Sequence, residues 1–184
     1  DEGPFTCVRY ETNAIPELAS AIGTGSPSAR TNFTLADFKP TGPFEERALS
    51  FVLDPGVKVH INAPKELPPD REVLLIYYAL PNGNTTAQTI GKQMKPGDDW
   101  HFDIQHIGAQ TRWLRQHVPE RPIVVAYLEA DTKSWPAWRK QHGDDGIPAM
   151  LDAVRRIFAE FKVRLVLTGH SGGGSLTFGY LNAV

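Results

Sequence analysis

The chain has 184 residues with 19 Lys+Arg against 21 Asp+Glu, a formal net charge of −2, which leaves no basic footprint for nucleic acid or an anionic membrane. Hydrophobic residues at 41% and charged residues at 22% fit one globular domain with a real core and exclude a disordered chain. The single cysteine, Cys7, rules out an internal disulfide framework and any cysteine-built zinc or iron–sulfur site, and apolar runs such as 73–80 are too short for a transmembrane segment.

Residues 1–47 are rich in Gly, Ser, Pro and Thr and predict an irregular N-terminal arm with one strand at 5–10. The chain opens on Asp1 rather than Met, the end expected of a processed or excised chain, and Asn32-Phe33-Thr34 and Asn84-Thr85-Thr86 fit the glycosylation acceptor pattern. Together these lean towards a secreted or periplasmic protein. From residue 48 the pattern tightens. Residues 49–53 and 57–62 read as two strands joined by a tight turn at Asp54-Pro55-Gly56, with Val57, Val59 and Ile61 alternating with Lys58, His60 and Asn62.

Strands and helices then alternate. Residues 73–80 (VLLIYYAL) predict a strand covered on both faces. Ile104, Ile107, Thr111, Leu114 and Val118 recur at helical spacing, and 122–128 (PIVVAYL) is a second buried strand. Residues 129–146 lack periodicity and predict a surface excursion carrying Trp135 and Trp138. Ile147, Met150, Leu151, Val154, Ile157, Phe158 and Phe161 form an amphipathic helical stripe, with Pro148 suited to the first turn. Residues 163–167 complete the series as a third strand. The alternation predicts an α/β fold over 48–184, a mostly parallel central sheet with helices on both faces.

Thr168-Gly169-His170-Ser171-Gly172-Gly173-Gly174-Ser175 follows that last strand, and Gly169, Ser171 and Gly173 match G-x-S-x-G. A serine at a sharp strand-to-helix turn is pressed towards strained backbone angles, and flanking glycines let strand and helix approach. The turn lifts the Ser171 hydroxyl above the sheet at a helix N-terminus, where backbone N–H groups can stabilise an oxyanion. A phosphate loop is excluded because no lysine follows the glycines, and a dinucleotide fingerprint fails at Thr177.

With these residues the sequence resembles the α/β-hydrolase family from about residue 48 to 184. The hairpin, the strand at 73–80, the loop at 81–86, the helix near Ile104, the strand at 122–128, the helix near Ile147 and the strand at 163–167 fall in the family's order. The resemblance implies a serine hydrolase that works through an acyl-enzyme on Ser171, acts on an ester or amide and needs no cofactor. It places one oxyanion-hole N–H on Gly172 and the other in the loop after the third strand, on Asn84 first and Gly83 second. Many relatives have His-Gly in that loop, whereas this chain has Asn82-Gly83. Pro81 has no N–H to give.

A serine needs a base, and the base an orienting acid, which in this fold follow the serine as Asp or Glu and then His. The thirteen residues after Ser171 contain none of these. The expectation is therefore an N-terminal portion of an α/β-hydrolase domain, incomplete on its C-terminal side. A complementary C-terminal segment or a second chain would supply the remaining strands, the acid and the base. The chain as printed also fits a non-catalytic binding or scaffold protein of the same fold, and a third reading recruits an upstream histidine. His60 lies on a strand face opposite its apolar residues, His101, His106 and His117 flank a helix, His142 lies in the irregular segment, and His170 points away into packing. The Asp98–Asp103 cluster reads as a solvated helix start with no metal site. Trp135 and Trp138 are candidates for substrate binding at the site mouth, with an aromatic anchor for the long loop as the alternative.

Overall fold

The structure, a computed structural model, describes residues 32–184. Six strands form one sheet in the order β1-β2-β3-β5-β4-β6. They are β1 (Lys39–Thr41), β2 (Glu46–Leu53), β3 (Val57–Pro64), β4 (Val73–Ala79), β5 (Ile123–Ala130) and β6 (Val163–Gly169). The strand expected at 5–10 lies outside the described residues. Within the span 1–47 expected to be irregular, β1 and the start of β2 belong to the sheet, pairing Lys39 with Ala48 and Thr41 with Glu46.

The sheet is mixed rather than mostly parallel. β1, β2, β3 and β5 are antiparallel neighbours, whereas β4 is parallel to both β5 and β6. The reason is connection length. A turn as short as residues 54–56, with Gly56 at φ 68°, can join only antiparallel neighbours, whereas parallel pairing needs a crossover. The crossovers are helical: α1 (Thr86–Ile90) and α2 (Ile107–His117) between β4 and β5, then α3 (Trp135–His142) and α4 (Ile147–Arg156) between β5 and β6. α5 (Gly174–Ala183) follows β6.

Two apolar clusters show that helices cover both faces. Alternate residues of the central strands, Leu75, Tyr77, Val124 and Ala126 among them, pack with Trp138, Ile147, Val154, Phe158 and Leu176. The residues between, Tyr78, Ile123, Val125 and Tyr127, pack with Ile90, Ile107 and Leu114 of α1 and α2. β5 is buried at every position, as its unbroken apolar run requires. Each fully buried Leu or Phe contributes about 1.5–3 kcal/mol, so the first cluster dominates the stability of the sheet.

Two helical expectations shift. The helix near Ile104 starts only at Ile107, because His106 takes the left-handed conformation at φ 49°, and Ile104 is left exposed. The excursion at 129–146 contains α3, started by Ser134, whose hydroxyl accepts from the Ala137 N–H, with Pro136 in its first turn and Gly143 at φ 76° ending it. The amphipathic stripe from Ile147 runs as helix to Arg156 and then continues through turns that still bury Ile157 and Phe158. Among the described residues, no helix is long and apolar enough to cross a membrane.

Candidate functional site

β4 and β6 end together, Ala79 paired with Gly169, with Leu128 of β5 on the other side of Ala79. Ser171 stands just past β6 at φ 51°, opening a single turn of 3-10 helix over Ser171–Gly173 that leads straight into α5. Left-handed backbone costs a non-glycine residue about 1–2 kcal/mol, so the surroundings must enforce it. They do so through the glycines. A Cβ on Gly173 would overlap the Ala79 carbonyl oxygen and lie 2.8 Å from its carbon, and one on Gly169 would lie 2.8 Å from the Gly173 carbonyl carbon. Backbone therefore packs on backbone where β4, β6 and the turn meet.

The turn leaves Ser171 exposed. Gly173 N–H donates to the His170 carbonyl at 2.9 Å and Gly174 N–H to the carbonyls of Ser171 and Gly172. The Gly172 N–H has no acceptor among the described residues. It lies beside the serine at the start of a ten-residue helix, where the helix dipole adds partial positive charge. An exposed hydroxyl beside an open amide is one part of what an acyl-transfer site requires.

α3 steers the helix that carries the turn. Arg139 grips Asp144 with two bonds of 2.6 Å and also donates to the Ser175 carbonyl at 2.9 Å and hydroxyl at 3.0 Å. Asn182 reaches the same carboxylate at 3.2 Å. These hydrogen bonds, those of Arg139 first, hold the Asp144 carboxyl down to about 2. A Cβ on Gly179 would come within 2.6 Å of Arg139 Nε and of Ile147 Cδ1, so a larger residue there would push the Arg139 and Ile147 side chains aside.

The loop after β4 sits beside the turn. Gly83 N–H donates to the Lys133 carbonyl at 2.8 Å, so this candidate oxyanion donor is already engaged. Asn84 N–H closes a turn onto Pro81 at 3.4 Å, and Asn84 is buried. The same burial leaves no room for a glycan on Asn84. Thr85 caps α1 in a reciprocal box with Gln88. Thr86 donates to buried Glu129 through its N–H at 2.7 Å and its hydroxyl at 2.9 Å, and Lys58 completes that carboxylate at 3.0 Å. Glu129 thus ties the loop to the end of β5. Sequence reasoning passed over it because it closes an apolar strand, although a carboxylate ending such a run needs partners.

Trp135 and Trp138 do not line a site mouth. Both are 1% exposed, their rings meet edge to face at 5.4 Å, and the Trp138 indole donates to the Pro55 carbonyl at 2.7 Å. They anchor α3 to the hairpin turn, and their apolar bulk explains that position better than contact with solvent. His142 ends α3 rather than lying in irregular chain, and His170 is exposed, its Nδ1 3.4 Å from Gln105 Nε2. His60 is half-buried with Ser50 on its Nδ1 at 2.8 Å and stands opposite Tyr127. Asp99 accepts from His101 N–H and Gln88, and Asp98 from Lys92 and Lys95, so the acidic cluster organises its own loop. No group of three His, Cys, Asp or Glu side chains among the described residues is placed to hold a metal ion. No histidine or carboxylate among them hydrogen-bonds the Ser171 hydroxyl.

No protein-family model and no curated protein matches the sequence. Among solved structures the chain is similar to the crystal structure of a thermostable esterase, at 19% sequence identity and a TM-score of 0.45. The likeness covers 79% of this chain and 37% of that one, so the chain spans little more than a third of that protein's length.

Proposed function

We propose that this chain carries the nucleophile of a serine hydrolase that cleaves an ester or amide through an acyl-enzyme on Ser171. One observation carries the reading: an exposed serine held at φ 51° between a sheet strand and a helix, with glycine backbone wedged against β4 to keep it there. Strain of this kind persists only where the surroundings over-determine it. The hydroxyl oxygen attacks the substrate carbonyl while its proton passes to a base. The carbonyl oxygen, now negative, faces the Gly172 N–H. The leaving group departs with that proton, and water repeats the sequence to release the acid.

The acid and the base belong to sequence beyond Val184 or to another chain. The sheet supports such a complement. Among the described residues the outer edge of β6 pairs with nothing; Leu165 (46%) and Val166 (36%) of β6 are exposed, as are Phe178 (66%) and Leu181 (59%) of α5, the helix that follows it. Apolar edges of that kind are covered in stable proteins. No cofactor enters this chemistry. The second reading, a non-catalytic binding or scaffold protein, draws on the Ser171 hydroxyl having no basic partner among the described residues.

A fluorophosphonate separates the two. In the intact protein it labels Ser171, and Ser171→Ala abolishes the labelling while the melting temperature stays within a few degrees. Unlabelled native protein, or labelling that survives in the variant, overturns the hydrolase reading.

A further inference from the structure

Acyl transfer needs two donors converging on one oxygen at about 2.7–3.1 Å. Gly172 offers one, and the loop at 82–86 lies beside it through Asn82. Four of the five N–H groups there are engaged: Gly83 with the Lys133 carbonyl, Asn84 with Pro81, Thr85 with the Gln88 side chain at 2.8 Å and Thr86 with Glu129. The Asn84 side chain does not replace them, because its Nδ2 is sealed from solvent and from any incoming carbonyl. Asn82 is different. Neither its N–H nor its carboxamide has a hydrogen-bond partner among the described residues, and the residue is exposed.

Its place is specific. The Asn82 carboxamide lies directly on Gly172: a Cβ there would overlap Asn82 Oδ1 and Cγ and lie 2.8 Å from Nδ2. The three nearest atoms to that Cβ position all belong to the Asn82 carboxamide, and the same glycine carries the open N–H. A primary amide carries two N–H donors, and a half-turn of its last torsion exchanges oxygen for nitrogen. With nothing else bonded to it, that turn breaks no hydrogen bond.

We propose that the Asn82 side-chain amide is the second oxyanion donor, acting with the Gly172 N–H on the carbonyl oxygen attacked by Ser171. The inference rests on the hydrolase reading of Ser171. It gives Gly172 a role of its own, since any side chain at that position would expel the carboxamide. It also explains why the amides of residues 83–86 can be tied down without loss of the site.

The test uses the full-length protein, with a short p-nitrophenyl ester as substrate and the fluorophosphonate as covalent probe. Asn82→Ala keeps the backbone N–H and removes only the carboxamide. It is expected to lower kcat about 10²–10³-fold, with KM changed little and the melting temperature unmoved. Asn82→Asp, nearly isosteric but anionic, is expected to lower kcat at least as far. Native kcat in Asn82→Ala, with Ser171 still labelled, overturns the assignment and leaves the hydrolase reading standing. A raised KM at constant kcat overturns it as well, by making Asn82 a ground-state contact. Failure of the native protein to label at Ser171 removes the nucleophile itself and both readings with it.

Discussion

The turn after β4 and the turn after β6 leave the sheet from paired residues, Ala79 and Gly169, yet they treat their backbone amides in opposite ways. In the first, Gly83, Asn84, Thr85 and Thr86 all donate within the molecule. In the second, the amide beside the serine stays open, and the conformation is enforced by backbone contact with Ala79 and Leu80. The first turn is a wall fixed by hydrogen bonds and the second is a serine-bearing bend fixed by steric fit. A site of this kind needs both, because an open amide is useful only if the groups facing it do not move.

The largest stability effect is expected from breaking the steric fit. Gly173→Ala drives a methyl group into the Ala79 carbonyl, which cannot retreat without disturbing the pairing of β4 with β5 and β6. Overpacking of this kind costs about 1–3 kcal/mol, with this site at the upper end, and chemical denaturation should show that loss together with abolished Ser171 labelling. Loosening the hydrogen-bonded wall comes next. Glu129→Ala strands the Thr86 N–H and hydroxyl beneath the loop, at a cost of about 1–3 kcal/mol by the same measurement. Labelling should persist there but slow, since Ser171 keeps its conformation while the facing loop drifts.

Acid titration sharpens the contrast with the smallest changes. Burial pushes His60 down to about 4, against a raising influence from Glu46. An unfolded chain takes up that proton near pH 6.5. Stability should therefore fall as pH drops from about 6.5 to 4, with no further contribution from His60 below that. Asp144 behaves differently: its folded value near 2 lies below the unfolded value of about 3.9. The stability it lends is present above pH 3.9 and is lost as pH falls through 2. NMR titration of the two side chains should resolve the windows, the upper one in the antiparallel half of the sheet and the lower one at the helix bearing the serine. His60→Phe should remove the upper slope alone.

The strands were legible because unbroken apolar runs such as residues 123–128 have few other uses, and Ser171 because glycine at both flanks answers a steric need visible in the letters themselves. The mixed sheet was half legible: the Asp54-Pro55-Gly56 turn foretold β2 against β3, but nothing local states that β3 will also lie antiparallel to β5. α3 was hidden by its length and its tryptophans, although Ser134, Pro136 and Gly143 mark its start and stop. Reading Trp135 and Trp138 as a site mouth followed from that miss. The engagement of the loop N–H groups was hidden for another reason, since it depends on Lys133 and Glu129, more than forty residues away in sequence and adjacent only once folded.

The grip of Arg139 on Ser175 has a consequence for how the molecule tolerates change. α3 is held to the hairpin turn by the Trp138–Pro55 hydrogen bond and, through Arg139, to the first turn of α5. An insertion between β5 and α3 would shift that attachment and move Ser171 without touching any residue near it, so under the proposed function loop length there becomes a way to retune reactivity from a distance.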